Sequence, residues 1–142
     1  YSGEMKQFCL KEASSRIEFW RTYSIFTAND IARMNETQFI SDVVYNLMTG
    51  LSDFSSKKLD NFYAEFDEFF SDAPKIEKRL DRVFDAVAGI DPDQFSATIF
   101  KRQPLFFSLL LVLDEQPRIS SGKIENIIWE IDARFQDDSH FS

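Results

Sequence analysis

Pro104-Leu105-Phe106-Phe107-Ser108-Leu109-Leu110-Leu111-Val112-Leu113-Asp114 decides the fold class. Eight of the nine residues from Leu105 to Leu113 are apolar, so no polar stripe marks a solvent face. A run this greasy is either a central helix surrounded by other helices or a strand covered on both faces. A strand needs a second strand to pair with, and no other segment of the chain offers one. The run therefore predicts a buried apolar helix near 104–114, with other helices packed around it.

Working outward, the neighbours supply those helices. Toward the C-terminus, Ile124, Ile127, Ile128, Ile131 and Phe135 define a last amphipathic helix, capped near Ser120 or Ser121. Toward the N-terminus, Ile76, Leu80, Val83, Phe84 and Val87 share one face of a helix with Pro74 in its first turn and Gly89 at its end. Asp91-Pro92 then reads as a cap followed by a first-turn proline. Leu59, Phe62, Tyr63, Phe66, Phe69 and Phe70 recur at helical spacing over about 55–71, and the short break at Asp72-Ala73 predicts an antiparallel hairpin with the helix after it. Asn35-Glu36-Thr37-Gln38 matches a capping box, with Met34 and Phe39 at staple positions. The helix it starts buries Phe39, Ile40, Val43, Val44 and Leu47 and stops at Gly50. Met5, Phe8, Cys9 and Leu10 share one side of a first short helix, followed by the aromatic group Phe19, Trp20, Tyr23 and Phe26.

The expectation is an all-α chain, a single compact bundle of about six to seven helices over residues 1–142. Composition agrees. Hydrophobic residues are 44% and charged residues 28%, the balance of a globular domain, and this length buries roughly two-thirds of the surface its unfolded chain exposes. Sixteen Phe predict a core built on aromatic wedges, and only four Gly and four Pro disfavour a turn-rich β fold. The longest apolar run falls short of the ~18 residues that span a bilayer, so no membrane partner is expected. A single cysteine, Cys9, excludes an internal disulfide and fits a cytoplasmic location. The chain opens at Tyr1 without Met, which reads as a piece of a longer protein.

The usual catalytic groups do not converge. His140 is the single imidazole, so neither Ser nor Cys gains a histidine base, and Cys9 lies on an apolar face as a packing residue. Metal sites built on His or Cys are excluded by the same counts. The four glycines stand apart at 3, 50, 89 and 122, so there is no phosphate-cradling loop. Glu65, Asp67, Glu68 and Asp72 fall opposite an apolar stripe and read as a solvated face. No cofactor is implied, and the chain is not expected to be an enzyme.

One constellation stands out. Lys75, Lys78, Arg79 and Arg82 lie at i, i+3, i+4 and i+7, a basic stripe nearly opposite the apolar face of their helix. It is a candidate contact for phosphate or for an acidic partner. The plainer alternative is a solvated face pairing with local acids such as Glu77, Asp81 and Asp85. The net charge of −8 opposes an independent DNA binder.

The order of segments resembles the helical region of the GmrSD-type family of bacterial anti-phage restriction proteins. Tyr1-Ser2-Gly3-Glu4-Met5 through Ala13 is similar to the short helix that follows that family's N-terminal ParB/sulfiredoxin-like, DGQQR-motif domain. Phe19-Trp20 is similar to its aromatic follow-on, and Ala32-Arg33-Met34-Asn35-Glu36-Thr37-Gln38 to its arginine-methionine helix start. Leu59 through Phe70 and Leu105 through Leu113 are similar to its two later apolar helices. Glu36 and Gln38 stand where the family pattern has Asp and Glu. The nucleotide-hydrolysing motif is absent, since Asp114-Glu115-Gln116-Pro117-Arg118 is only a chance echo of it. The resemblance implies a non-catalytic scaffold or interaction domain of a nucleotide-dependent DNA restriction protein. Its partners would be the missing N-terminal domain and, through the parent protein, DNA. An exposed apolar patch for that docking is expected in the aromatic-rich first third. The alternative is a free-standing helical protein-interaction module, with a covered surface and one groove.

Overall fold

The computed structural model describes residues 3–49 and 70–139. Among these residues there are eight α-helices, one 3-10 turn and no strand: α1 (Glu4–Ser14), α2 (Ile17–Thr22), α3 (Ala28–Ala32), α4 (Asn35–Thr49), α5 (Ala73–Ala88), α6 (Pro92–Ser96), the 3-10 turn (Ile99–Lys101), α7 (Gln103–Glu115) and α8 (Ser121–Ser139). The all-helical class is as expected. The count exceeds six to seven because α2, α3 and α6 are single short turns, too brief to show a repeating apolar stripe. The expected helix over about 55–71, its hairpin partnership and the stop at Gly50 lie outside the described residues. Phe70 is described: it is buried, with its ring edge-on to Phe8 at 5.1 Å.

α7 is the predicted apolar helix, and it sits against α4 and α5 while α1 packs on α4. Phe106 and Leu110 are fully buried, and Leu109, Leu111 and Leu113 nearly so. The helix is not covered all round, because Val112 is 55% exposed. The expected apolar faces of α4 and α5 are the buried ones, from Phe39 to Leu47 and from Ile76 to Val87. Pro74 lies in the first turn of α5, Gly89 caps its end, and the Asp91 side chain accepts from the Gln94 amide to start α6.

Aromatic rings fill the centre. Trp20 meets Phe26, Phe39 and Phe84 edge-on, at centroid distances of 4.9, 5.8 and 5.4 Å. Phe106 extends the cluster to Phe39, Phe84 and Phe95. Burying these rings requires partners for their polar ends. Trp20 Nε1 donates to the Ala13 carbonyl at 2.9 Å, and the Tyr23 hydroxyl donates to the Ile90 carbonyl at 2.8 Å.

Two local expectations are corrected. The capping box is at Thr27 and Asp30, the start of α3, not at Asn35–Gln38. Gln38 donates instead to Asp42 and Asn35 to Asp30, while Met34 enters α4 with a left-handed φ of 62° and leaves its side chain exposed, so no staple forms. Leu10 is also exposed, because α1 turns Met5, Cys9, Glu12 and Ala13 inward. In the aromatic-rich first third, Trp20, Tyr23, Ile25 and Phe26 are buried, while Leu10 and Met34 are exposed.

Candidate functional site

The basic stripe of α5 divides in two. Lys75 and Lys78 are exposed and make no ion pair among the described residues. Arg79 and Arg82 are instead directed at the C-terminal end of α7. Arg79 grips the Asp114 carboxylate with two bonds, Nε to Oδ1 at 3.0 Å and Nη2 to Oδ2 at 2.6 Å, and its Nη1 donates to the Leu47 carbonyl of α4 at 3.0 Å. Arg82 donates to Asp114 Oδ1 at 3.1 Å and to the Asp114 carbonyl at 2.9 Å. Hydrogen bonding to Asp114 holds the Arg79 guanidinium even more firmly protonated than usual. This is an internal clamp joining α4, α5 and α7. The local acids on α5 take no part in it. A shallow hollow of about 440 Å³ beside the clamp is lined by Leu47, Met48, Asp72, Lys75, Ile76, Lys78 and Arg79.

The acidic edge of α5 has its own partner. Asp81 accepts from Arg16 at 2.7 Å, and Arg16 also meets Glu12, 3.3 Å away on the same side of the α1–α5 cleft. The guanidinium lies 4.6 Å from the Phe84 ring centre. Burial raises the Glu12 carboxyl above its ordinary value, and Arg16 pulls back against it.

A second hollow, about 550 Å³, opens between α4 and the start of α7 and is lined by Asn35, Gln38, Phe39, Asp42, Gln103, Pro104 and Phe107. Gln38 donates to Asp42 Oδ1 at 3.0 Å. Burial pushes the Asp42 carboxyl up to about 6, with the Gln38 bond opposing the rise.

The final surface feature was not expected from the sequence. Ile124 and Ile128 of α8 are buried, but Ile127, Ile131 and Phe135 are 38%, 45% and 42% exposed. They run at i, i+4 and i+8 along the edge of the same apolar stripe that carries Ile124 and Ile128. α8 is held from beneath, where Asp132 accepts from the Ile99 amide at 2.8 Å and Arg102 lies over the Phe135 ring at 5.6 Å.

Among the described residues, no three His, Cys, Asp or Glu are grouped to hold a metal ion, and no helix is long and apolar enough to cross a membrane. Cys9 is buried with its thiol 3.9 Å from the Met5 sulfur, and Asp72 is exposed. His140, Glu65, Asp67 and Glu68 lie outside the described residues. Compared with known proteins, the chain matches no family profile, no curated protein and no solved structure.

Proposed function

We propose that this chain is a non-catalytic helical scaffold and interaction domain that docks a protein partner through the partly exposed apolar edge of α8. The single observation behind this reading is the ridge of Ile127, Ile131 and Phe135, the part of the α8 apolar stripe that the core leaves partly exposed while it buries Ile124 and Ile128. Three large apolar side chains at one-turn spacing suit a helix-in-groove contact. The exposed charges beside them balance, Glu130 and Asp137 against Lys123 and Arg134, with Arg134 bonded to Glu130 at 2.7 Å. The complementary partner therefore has an apolar groove with margins of mixed charge. The resemblance to GmrSD-type restriction proteins would make that partner the N-terminal domain of the same protein, placing the docking face on the last helix rather than in the first third.

The internal use of Arg79 and Arg82 argues against a four-residue phosphate stripe. DNA contact through this face reduces to Lys75 and Lys78, on a domain of net charge −8.

A photo-crosslinking residue placed at 131, with a control at the exposed Lys75, tests the reading in cells of the source organism. A discrete adduct from position 131 that the control lacks, and that Ile127→Glu abolishes, is the expected result. Equal labelling from both positions, or none from 131, overturns it. In parallel, DNA binding across a salt series is compared with Lys75→Glu/Lys78→Glu, a variant that spares the clamp. Salt-sensitive binding lost in that variant would return the function to nucleic acid.

A further inference from the structure

We infer that the hollow between α4 and the start of α7 is a binding site for a small organic amine, whose ammonium group meets Asp42 and whose apolar body lies on Phe39, Pro104 and Phe107. The inference starts from an imbalance. Among the described residues, Glu12 has Arg16, Asp114 has Arg79 and Arg82, and Asp132 has the Ile99 amide. Glu36 and Asp42 have no cation: buried Glu36 accepts only from Thr37 and leaves Oε2 without a bond, while Asp42 lines an open hollow. Asp42 is half-buried and has a neutral carboxamide, Gln38, with no cation of the described residues within ion-pair distance. A carboxylate withdrawn from water without a countercharge is unfavourable, and an incoming cation removes that penalty.

The rim of the hollow supplies further acceptors for such a cation. Three carboxamides line it, each with one N–H engaged within the protein: Asn35 with Asp30 at 3.1 Å, Gln38 with Asp42 at 3.0 Å and Gln103 with the Ile25 carbonyl at 3.3 Å. Their carbonyl oxygens and the Asp42 carboxylate are acceptors, and an ammonium group brings three donors and no acceptor.

The rest of the lining fits the remainder of such a ligand. Phe39 and Phe107 stand edge to face with their centroids 6.0 Å apart, and Pro104 lies beside them. The apolar surface accepts an aryl or alkyl body, and ring faces favour a nearby cation. The volume is that of a small-molecule site, within the roughly 300–1,000 Å³ such sites occupy. Among the described residues Asp42 is the only titratable group in the lining: α4 contributes Asn35, Gln38 and Phe39 beside it, and α7 contributes Gln103, Pro104 and Phe107. Since its carboxyl titrates near 6, amine binding displaces a proton at lower pH.

The test uses 2-phenylethylamine and its neutral analogue 2-phenylethanol, titrated into the intact chain and followed by amide NMR shifts. The expected result is saturable binding of the amine at about pH 7.5, about tenfold weaker at about pH 5 where Asp42 is mostly protonated. The shifts should centre on Gln38, Asp42 and Phe107, with the alcohol at least about tenfold weaker than the amine. Asp42→Asn, with its fold checked by circular dichroism, should bind the amine at least about tenfold less and lose the pH dependence. Equal binding of alcohol and amine, unchanged binding in Asp42→Asn, or no saturation by ~10 mM amine overturns the inference. A blocked lysine amide forms a further arm. If it binds in this hollow while 2-phenylethylamine does not, a peptide side chain replaces the small amine and the inference fails as stated.

Discussion

Replacing Asp114 with alanine removes the common acceptor of two arginines and separates the end of α7 from α5. Three side-chain hydrogen bonds disappear, two from Arg79 and one from Arg82, all charge-assisted. Hydrogen bonds to charged groups contribute about 1.5–3 kcal/mol each when one is removed alone, but these three share one carboxylate and do not add. Exposure sets the discount. Asp114 is 10% exposed, while the two arginines are 38% and 37% exposed and regain water when released. The loss thus falls below the ~3–5 kcal/mol of a fully buried broken pair and above the ~0.2–1 kcal/mol of a surface pair. We expect about 2 kcal/mol, equivalent to a Tm lower by roughly 6–10 °C for a chain of this size. Urea unfolding followed by circular dichroism measures it, with Arg79→Ala and the double variant completing a cycle. The Arg79 bond to the Leu47 carbonyl survives in Asp114→Ala, so the two single variants should differ, with a coupling near 1 kcal/mol or more. A loss under ~0.5 kcal/mol, or no coupling, would show that these contacts are a solvated face and not a clamp.

Three further outcomes follow from the same contacts. Leu110→Ala should cost about 3 kcal/mol in urea melts because Leu110 is fully buried, while Val112→Ala two residues later should cost under ~0.5 kcal/mol; similar costs would refute the orientation of α7. Arg16→Ala leaves Glu12 buried without its cation and should cost about 3 kcal/mol in the same melts, and a neutral result would mean that Glu12 reaches water. Between the ordinary aspartate value and about 6, the native state retains a proton on Asp42 that the unfolded chain has released. Its contribution to stability is therefore greatest below that window and falls as pH rises through it. Asp42→Asn should flatten this part of the stability–pH curve, and an unchanged slope would show Asp42 to be fully hydrated.

Local rules reached much of this protein. The faces of α4 and α5 and the helical nature of α7 were legible because 3.6-residue periodicity is a property of a short segment, and Pro74, Gly89 and Asp91 act within a single turn. A tempting local signal also misled. Asn35–Gln38 has capping-box chemistry, but the chain enters α4 through Met34 in the left-handed region, and Gln38 faces Asp42. The Thr27–Asp30 box went unread because no apolar stripe follows α3 to draw attention to it.

The candidate sites lay beyond such rules. The sequence by itself determined which residues carry charge and which helix edge they occupy, so the spacing of Lys75, Lys78, Arg79 and Arg82 was correct. Only the tertiary structure decided that Asp114, 35 residues beyond Arg79, takes the two arginines. It likewise decided that Asp42 has no cation within ion-pair distance among the described residues, and that α8 buries Ile124 and Ile128 while leaving Ile127, Ile131 and Phe135 partly exposed. The physical reason is common to all three. Periodicity states that a face is apolar or charged, but whether another element arrives to cover or neutralise it depends on the path of the chain between them.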